Sequence, residues 1–76
     1  MDTPEIIDAR GLKCPMPVLK LEKQLENTAA GATLIVLADD PIARIDIPLL
    51  CRKNDHTCSI ENDGTALRFV IKKNKP

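Results

Sequence analysis

The apolar positions of this chain alternate between two periods, and the changes of period mark its elements. Ile6-Ile7-Asp8-Ala9 is a short apolar run that suits a first strand. In Pro15-Met16-Pro17-Val18-Leu19-Lys20-Leu21-Glu22-Lys23-Gln24-Leu25-Glu26-Asn27 the period becomes helical. Val18, Leu21 and Leu25 share one face there, and Lys20, Lys23, Gln24 and Asn27 fall on the other. Gly31 stands where a chain leaving that helix adopts a left-handed conformation. Residues 33–38 form a near-continuous apolar run. That suits a central strand, parallel to the first and joined to it by the helix in a right-handed crossover.

Asp39-Asp40-Pro41 ends this strand. The pattern after it is helical again, but it contains Pro48, which lacks a backbone donor and crowds the preceding turn. It therefore predicts a turn or short helical piece over residues 41–45. A main helix follows from Asp46, as its cap, to about residue 54, with Ile47, Leu50 and Cys51 on one face. His56-Thr57-Cys58-Ser59-Ile60-Glu61 alternates, with Cys58 and Ile60 inward. Asn62-Asp63-Gly64 signals a hairpin. Residues 65–72 make the last strand, with Leu67, Phe69 and Ile71 on its core face. The order β-α-β-α-β-β predicts an α/β (α+β) two-layer sandwich, with two helices on one face of a four-stranded mixed sheet. Residues 1–76 are expected to form a single domain. The other sheet face would carry Ile35, Leu37 and Val70 among polar residues, either an ordinary mixed surface or a partner surface.

Charge and composition narrow the partners. Eleven basic residues balance 11 acidic ones, which leaves no basic excess for direct nucleic-acid binding. The Lys72-Lys73-Asn74-Lys75 end reads as a solvated tail. Phe69 is the one aromatic residue, so base stacking has little to work with. No stretch is long enough for a membrane span, and the acidic start lacks the positive and apolar regions of a signal peptide. A cytoplasmic, monomeric protein with reduced thiols is expected. The three cysteines show neither a C-x-x-C pair nor metal-ligand spacing, so a disulfide scaffold, a zinc site and a bound cofactor are not expected. Asp39 and Asp40 read as strand-end and capping residues rather than metal ligands.

The chemistry concentrates in Cys14-Pro15-Met16-Pro17. Proline is tolerated at the first helical position, and a residue before proline is steered out of the α region, as an N-cap is. Cys14 is accordingly placed as the N-cap of the first helix. The helix dipole there, with Arg10 and Lys13 on the preceding loop, favours the thiolate of a group whose ordinary pKa is about 8.5. Pro15 and Pro17 lack an N–H, so of the first three helical positions Met16 alone can donate to the sulfur. A moderate pKa shift is expected, with the prolines acting as a rigid presentation device. Met16 lies nearly opposite Val18 on the helical wheel and is expected to be exposed beside Cys14.

No resolving cysteine stands near Cys14 in the chain, and His56 reads as a solvated or hydrogen-bonded strand residue rather than a base. Cys51 and Cys58 fall on apolar faces and read as core packing. A reactive thiol without acid–base apparatus or an interdomain cleft suits a covalent sulfur carrier more than a free-standing enzyme. Two other readings are a redox enzyme with Cys51 or Cys58 as resolving thiol, and a non-covalent regulatory interaction module.

The stretch Asp8-Ala9-Arg10-Gly11-Leu12-Lys13-Cys14-Pro15-Met16-Pro17 resembles the Cys-Pro-x-Pro signature, with its preceding Gly-Leu, of the TusA/SirA family of small sulfur carriers. Ala38-Asp39-Asp40-Pro41 and Asp46-Ile47-Pro48 resemble the family's second-helix region, and Cys51 falls where many members also carry cysteine. The resemblance implies a sandwich like the C-terminal domain of a bacterial translation initiation factor. It also implies a persulfide on Cys14, received from a cysteine desulfurase that uses pyridoxal phosphate. A downstream sulfur-relay or thiolation protein would be the acceptor. In well-studied members the sulfur reaches 2-thiouridine of transfer RNA; other relatives are tied to molybdenum cofactor synthesis, sulfur oxidation or selenium metabolism. Arg10, Gly11, Lys13, Pro15, Met16 and Pro17 would present the sulfur or meet the partner. For Met16 this role rests on its place on the helical wheel, since the family varies there.

Overall fold

The computed structural model of the protein describes residues 5–13, 15–64 and 66–74. The elements are β1 (Glu5–Asp8), α1 (Met16–Glu26), β2 (Thr33–Ala38), α2 (Ala43–Lys53), β3 (Thr57–Asp63) and β4 (Ala66–Lys72). They form one mixed sheet in the order β1-β2-β4-β3. β1 runs parallel to β2, with Ile6 opposite Ile35, and β4 is antiparallel to both of its neighbours. β3 therefore runs parallel to β2 with β4 between them. Each helix carries the chain from the end of one parallel strand back to the start of another. The starts of α1 and α2 thus lie at the carboxyl edge of β1 and β2, and their ends lie at the opposite edge.

The register decides which residues form the core. Leu34 and Val36 of β2 stand opposite Ile71 and Phe69 of β4, and alternate residues of a strand share a face. Leu21 and Leu25 of α1 and Ala43, Ile47, Leu50 and Cys51 of α2 cover this face. Phe69, Leu21, Val36, Ile47 and Ile71 are fully buried, each contributing about 1.5–3 kcal/mol by leaving water. On the other face Ile35 is buried and Leu37 and Val70 are half-buried. The facing pair Glu61 and Arg68 forms an ion pair at 3.7 Å there. This face is not a wide apolar patch.

The second helix departs from the expected one. It starts at Ala43, not near Asp46, and passes through Pro48 without a break. Within a helix starting at Ala43, Pro48 removes one bond, the one its N–H would have given the Arg44 carbonyl. Ala43, Ile47, Leu50 and Cys51 recur at helical spacing and are all buried against the sheet, which outweighs that loss. Asp40 organises the start: its carboxylate accepts the Ile42 N–H at 3.0 Å and its carbonyl accepts the Ala43 N–H at 3.0 Å. Asp46 sits in the first turn, where an acidic side chain suits the helix dipole.

Three smaller expectations also change. Ile60 shares the core-facing side with Phe69 by register, but its place on an edge strand leaves it 39% exposed. Gly31 does have a positive φ of 92°, yet α1 ends earlier, at Glu26 with Asn27 as C-cap. Gly31 shapes the loop instead, and its N–H donates to the Lys73 carbonyl at 2.6 Å. Lys73 is not part of a solvated tail. It is 8% exposed, and its Nζ donates to the carbonyls of Leu25 at 2.5 Å and Thr28 at 2.7 Å. A cation at the end of α1 satisfies carbonyls that the helix leaves open and suits its negative pole.

Candidate functional site

The loop from Ala9 to Pro15 leaves β1 at the carboxyl edge of the sheet and enters α1. Carboxylates hold it from both sides. Asp8 accepts the Arg10 backbone N–H at 3.1 Å, and its two oxygens take Nε and Nη2 of the same side chain at 2.8 Å each. The Arg10 guanidinium holds the Asp8 carboxyl at about 2, below its ordinary value. The cation expected to act on the thiol is thus shared with a carboxylate. Next in the loop, the Gly11 N–H points between both oxygens of Asp39, at 3.0 and 3.1 Å. Gly11 has a φ of 82°, a conformation that favours glycine. Ala9 anchors the loop from inside: it is fully buried, and its N–H donates to the Leu37 carbonyl at 2.8 Å.

The entry to α1 is one residue later than expected. Met16 is the first helical residue and Pro15 is the N-cap, with φ −92° and ψ 10°. A turn closes just before it, with the Met16 N–H donating to the Lys13 carbonyl at 2.9 Å. Met16, the one donor expected to serve the sulfur, is therefore committed to Lys13. With Pro15 and Pro17 lacking an N–H, none of these three positions offers an uncommitted backbone donor. The N-cap expected at Cys14 is occupied by Pro15; the placement of Cys14 itself lies outside the described residues.

The other candidate residues separate into exposed and buried sets. Arg10, Gly11, Lys13, Pro15 and Met16 are exposed, whereas Pro17 is fully buried. Pro17 supports the start of α1 from the core side and presents no surface. Leu19, Ile42 and Ile45 are also exposed. They belong to the first turns of α1 and α2, so with Met16 they put exposed apolar side chains at the same end of the molecule. Ile42 and Ile45 had no sequence signal as surface residues, because Pro48 masked the helix that carries them. Asp39 was legible as a strand-end residue, but its grip on Gly11 depends on β1 and β2 ending side by side.

The remaining candidates lie at the opposite edge. His56 precedes β3, and its Nδ1 accepts the Asn74 N–H at 3.2 Å. This places it away from Lys13 and Pro15. Cys51 is buried and Cys58 is half-buried against the core, as core packing requires. Among the described residues no group of three or more His, Cys, Asp or Glu could hold a metal ion. No helix of the described residues is long and apolar enough to cross a membrane.

Comparison with known proteins bears on the same segment. The family model described as Sulfurtransferase TusA matches residues 5–73. Among solved structures, a SirA-like protein from Desulfitobacterium hafniense superposes with a TM-score of 0.82 at 28% sequence identity, covering 92% of this chain and 97% of the other.

Proposed function

This chain belongs to the TusA sulfurtransferase family, and from that premise we propose that it carries sulfur as a persulfide on Cys14. A cysteine desulfurase is the donor and a second sulfur-relay or thiolation protein is the acceptor. The Cys14 thiolate attacks the outer sulfur of the donor's persulfide. The S–S bond of the donor breaks, its cysteine leaves as thiolate, and Cys14 now bears the persulfide. The acceptor's thiolate repeats the attack and releases Cys14. No oxidant is needed, because the transferred sulfur keeps its oxidation state.

The observation that carries this reading is the position of Cys14-Pro15-Met16-Pro17. It lies within the family match, and the described residues on either side of Cys14 are a loop pinned by Asp8 and Asp39 and a helix start that two prolines stiffen. Exposed Met16, Leu19, Ile42 and Ile45 at this end suit transient docking of a protein partner. The partners supply the acid–base chemistry, and the sulfur's destination is thiolation of the transfer-RNA wobble uridine in the cytoplasm. The test is incubation with a pyridoxal phosphate-dependent desulfurase and cysteine, followed by intact-mass measurement. The mass of one added sulfur is expected, removable by reductant and absent from Cys14→Ser. Sulfur uptake by folded Cys14→Ser would overturn the assignment.

A further inference from the structure

The edge of the sandwich away from Cys14 holds a second thiol arrangement. Cys51 lies in the last turn of α2, and Cys58 is the second residue of β3. The turn between them is fixed by backbone bonds. The His56 N–H donates to the Cys51 carbonyl at 2.7 Å and the Asp55 N–H to the Arg52 carbonyl at 3.2 Å, with Asp55 left-handed at φ 61°. This double bond pattern with a left-handed residue is a Schellman termination. It turns the chain straight back, so that Cys58 and Cys51 come to line the same pocket.

The pair opens onto a pocket of about 400 Å³ lined by Pro48, Cys51, Arg52, Asp55, His56 and Cys58. Cys51 is 1% exposed, so a reagent in the pocket reaches Cys58 first. The two thiols also differ in acidity. The neighbouring Cys51 side chain pulls the Cys58 thiol down, while the Cys58 side chain and burial push the Cys51 thiol up.

We propose that Cys58 and Cys51 form a dithiol site that reduces low-molecular-weight disulfides entering this pocket, with Cys58 as the attacking sulfur and Cys51 as the resolving one. The Cys58 thiolate attacks one sulfur of the small disulfide R–S–S–R. A Cys58–S–S–R bond forms and one RS⁻ leaves, taking up a proton from solvent. Cys51 then loses its proton and attacks the Cys58 sulfur. The Cys51–Cys58 disulfide forms, and the second RS⁻ leaves with that proton. The net change is two protein thiols oxidised and one disulfide reduced to two thiols. Arg52 and Asp55 both line the pocket, which suits a disulfide that carries carboxylates as well as ammonium groups, as glutathione disulfide does. The site lies at the edge opposite Lys13 and Pro15, so it stands whether or not Cys14 carries sulfur.

The experiment uses the full chain carrying Cys14→Ser, which removes the third thiol, and glutathione disulfide as the probe. The expected product is a protein lighter by two hydrogens, with the peptides bearing Cys51 and Cys58 linked. Adding Cys51→Ser should stop the reaction at a mixed disulfide on Cys58. Adding Cys58→Ser should slow modification of Cys51 at least about tenfold, because a buried, protonated thiol is a poor nucleophile. Circular dichroism confirms that each variant is folded, and Cys51→Ala replaces Cys51→Ser if the latter unfolds. Two free thiols after exposure of the folded protein would overturn the proposal. So would a mixed disulfide on Cys58 that persists while Cys51 is intact, or first modification at Cys51.

Discussion

The two edges of this sandwich frame their cysteine-bearing segments in different ways. At the carboxyl edge of β1 and β2, carboxylates fix the backbone around Cys14: Asp8 holds Arg10, Asp39 holds Gly11 and Asp40 holds Ile42. Backbone donors near the thiol are missing at Pro15 and Pro17 and committed at Met16. At the other edge, Cys51 and Cys58 line one pocket, and a helix termination and the core fix them. On the proposed carrier reading, a thiol that meets another protein gains from a stiff frame around it. A thiol that meets a second thiol of its own chain gains from burial beside it. One small fold provides both because both helices start at one edge and end at the other.

The largest effect that separates the two edges is on sulfur uptake. Cys51→Ser and Cys58→Ser should each load sulfur from a desulfurase as the unmodified protein does, whereas Cys14→Ser should load none; intact mass reports all three. Loss of loading in either of the first two would join the edges into one site. Next comes Lys73→Met at the far edge. It leaves the carbonyls of Leu25 and Thr28 buried without their donor and should cost about 1–3 kcal/mol in urea unfolding, with sulfur uptake by the folded protein unchanged. Altered uptake would mean that the far edge bears on the site.

Asp39→Ala at the Cys14 edge should reverse that pattern. The bond to Gly11 is exposed, so the expected stability loss is only about 0.5–1.5 kcal/mol, but sulfur hand-over in single-turnover assays should slow. Pro15→Ala should likewise fold normally and transfer more slowly; unchanged kinetics in both would remove the case for a rigid frame. The smallest effect concerns Asp8. Its folded pKa lies at about 2, below the ordinary carboxylate value of about 3.9. Its contribution to stability is therefore present above the ordinary value and lost as the pH falls through about 2. Asp8→Asn should narrow the difference in stability between pH 5 and pH 2 without altering the transfer profile near neutrality. An altered neutral profile would give Asp8 a role beyond holding Arg10.

Some elements were legible in the chain and others were not, for identifiable reasons. Leu21 and Leu25, the apolar run of β2, and Leu67, Phe69 and Ile71 announce their buried faces through local period alone. Pro48 misled because a single lost hydrogen bond is a local signal, whereas the face formed by Ala43, Ile47, Leu50 and Cys51 gains its stability only against the sheet. Ile60 misled because alternation gives the face of a strand but not its place in the sheet. Lys73 was unreadable as a cap, since the carbonyls it binds lie more than 40 positions earlier in the chain.

By itself, then, the sequence determined the order of elements and the hydrophobic faces, because period, proline and turn residues act between near neighbours, and it marked Cys14-Pro15-Met16-Pro17 as the candidate segment. Tertiary structure alone decided three other features. The grip of Asp39 on Gly11 needs two parallel strands to end together. Lys73 reaches the end of α1 only once β4 is in the sheet. Cys51 and Cys58 meet because a helix end and a strand start are folded back on each other, a closeness that their spacing in the chain does not encode.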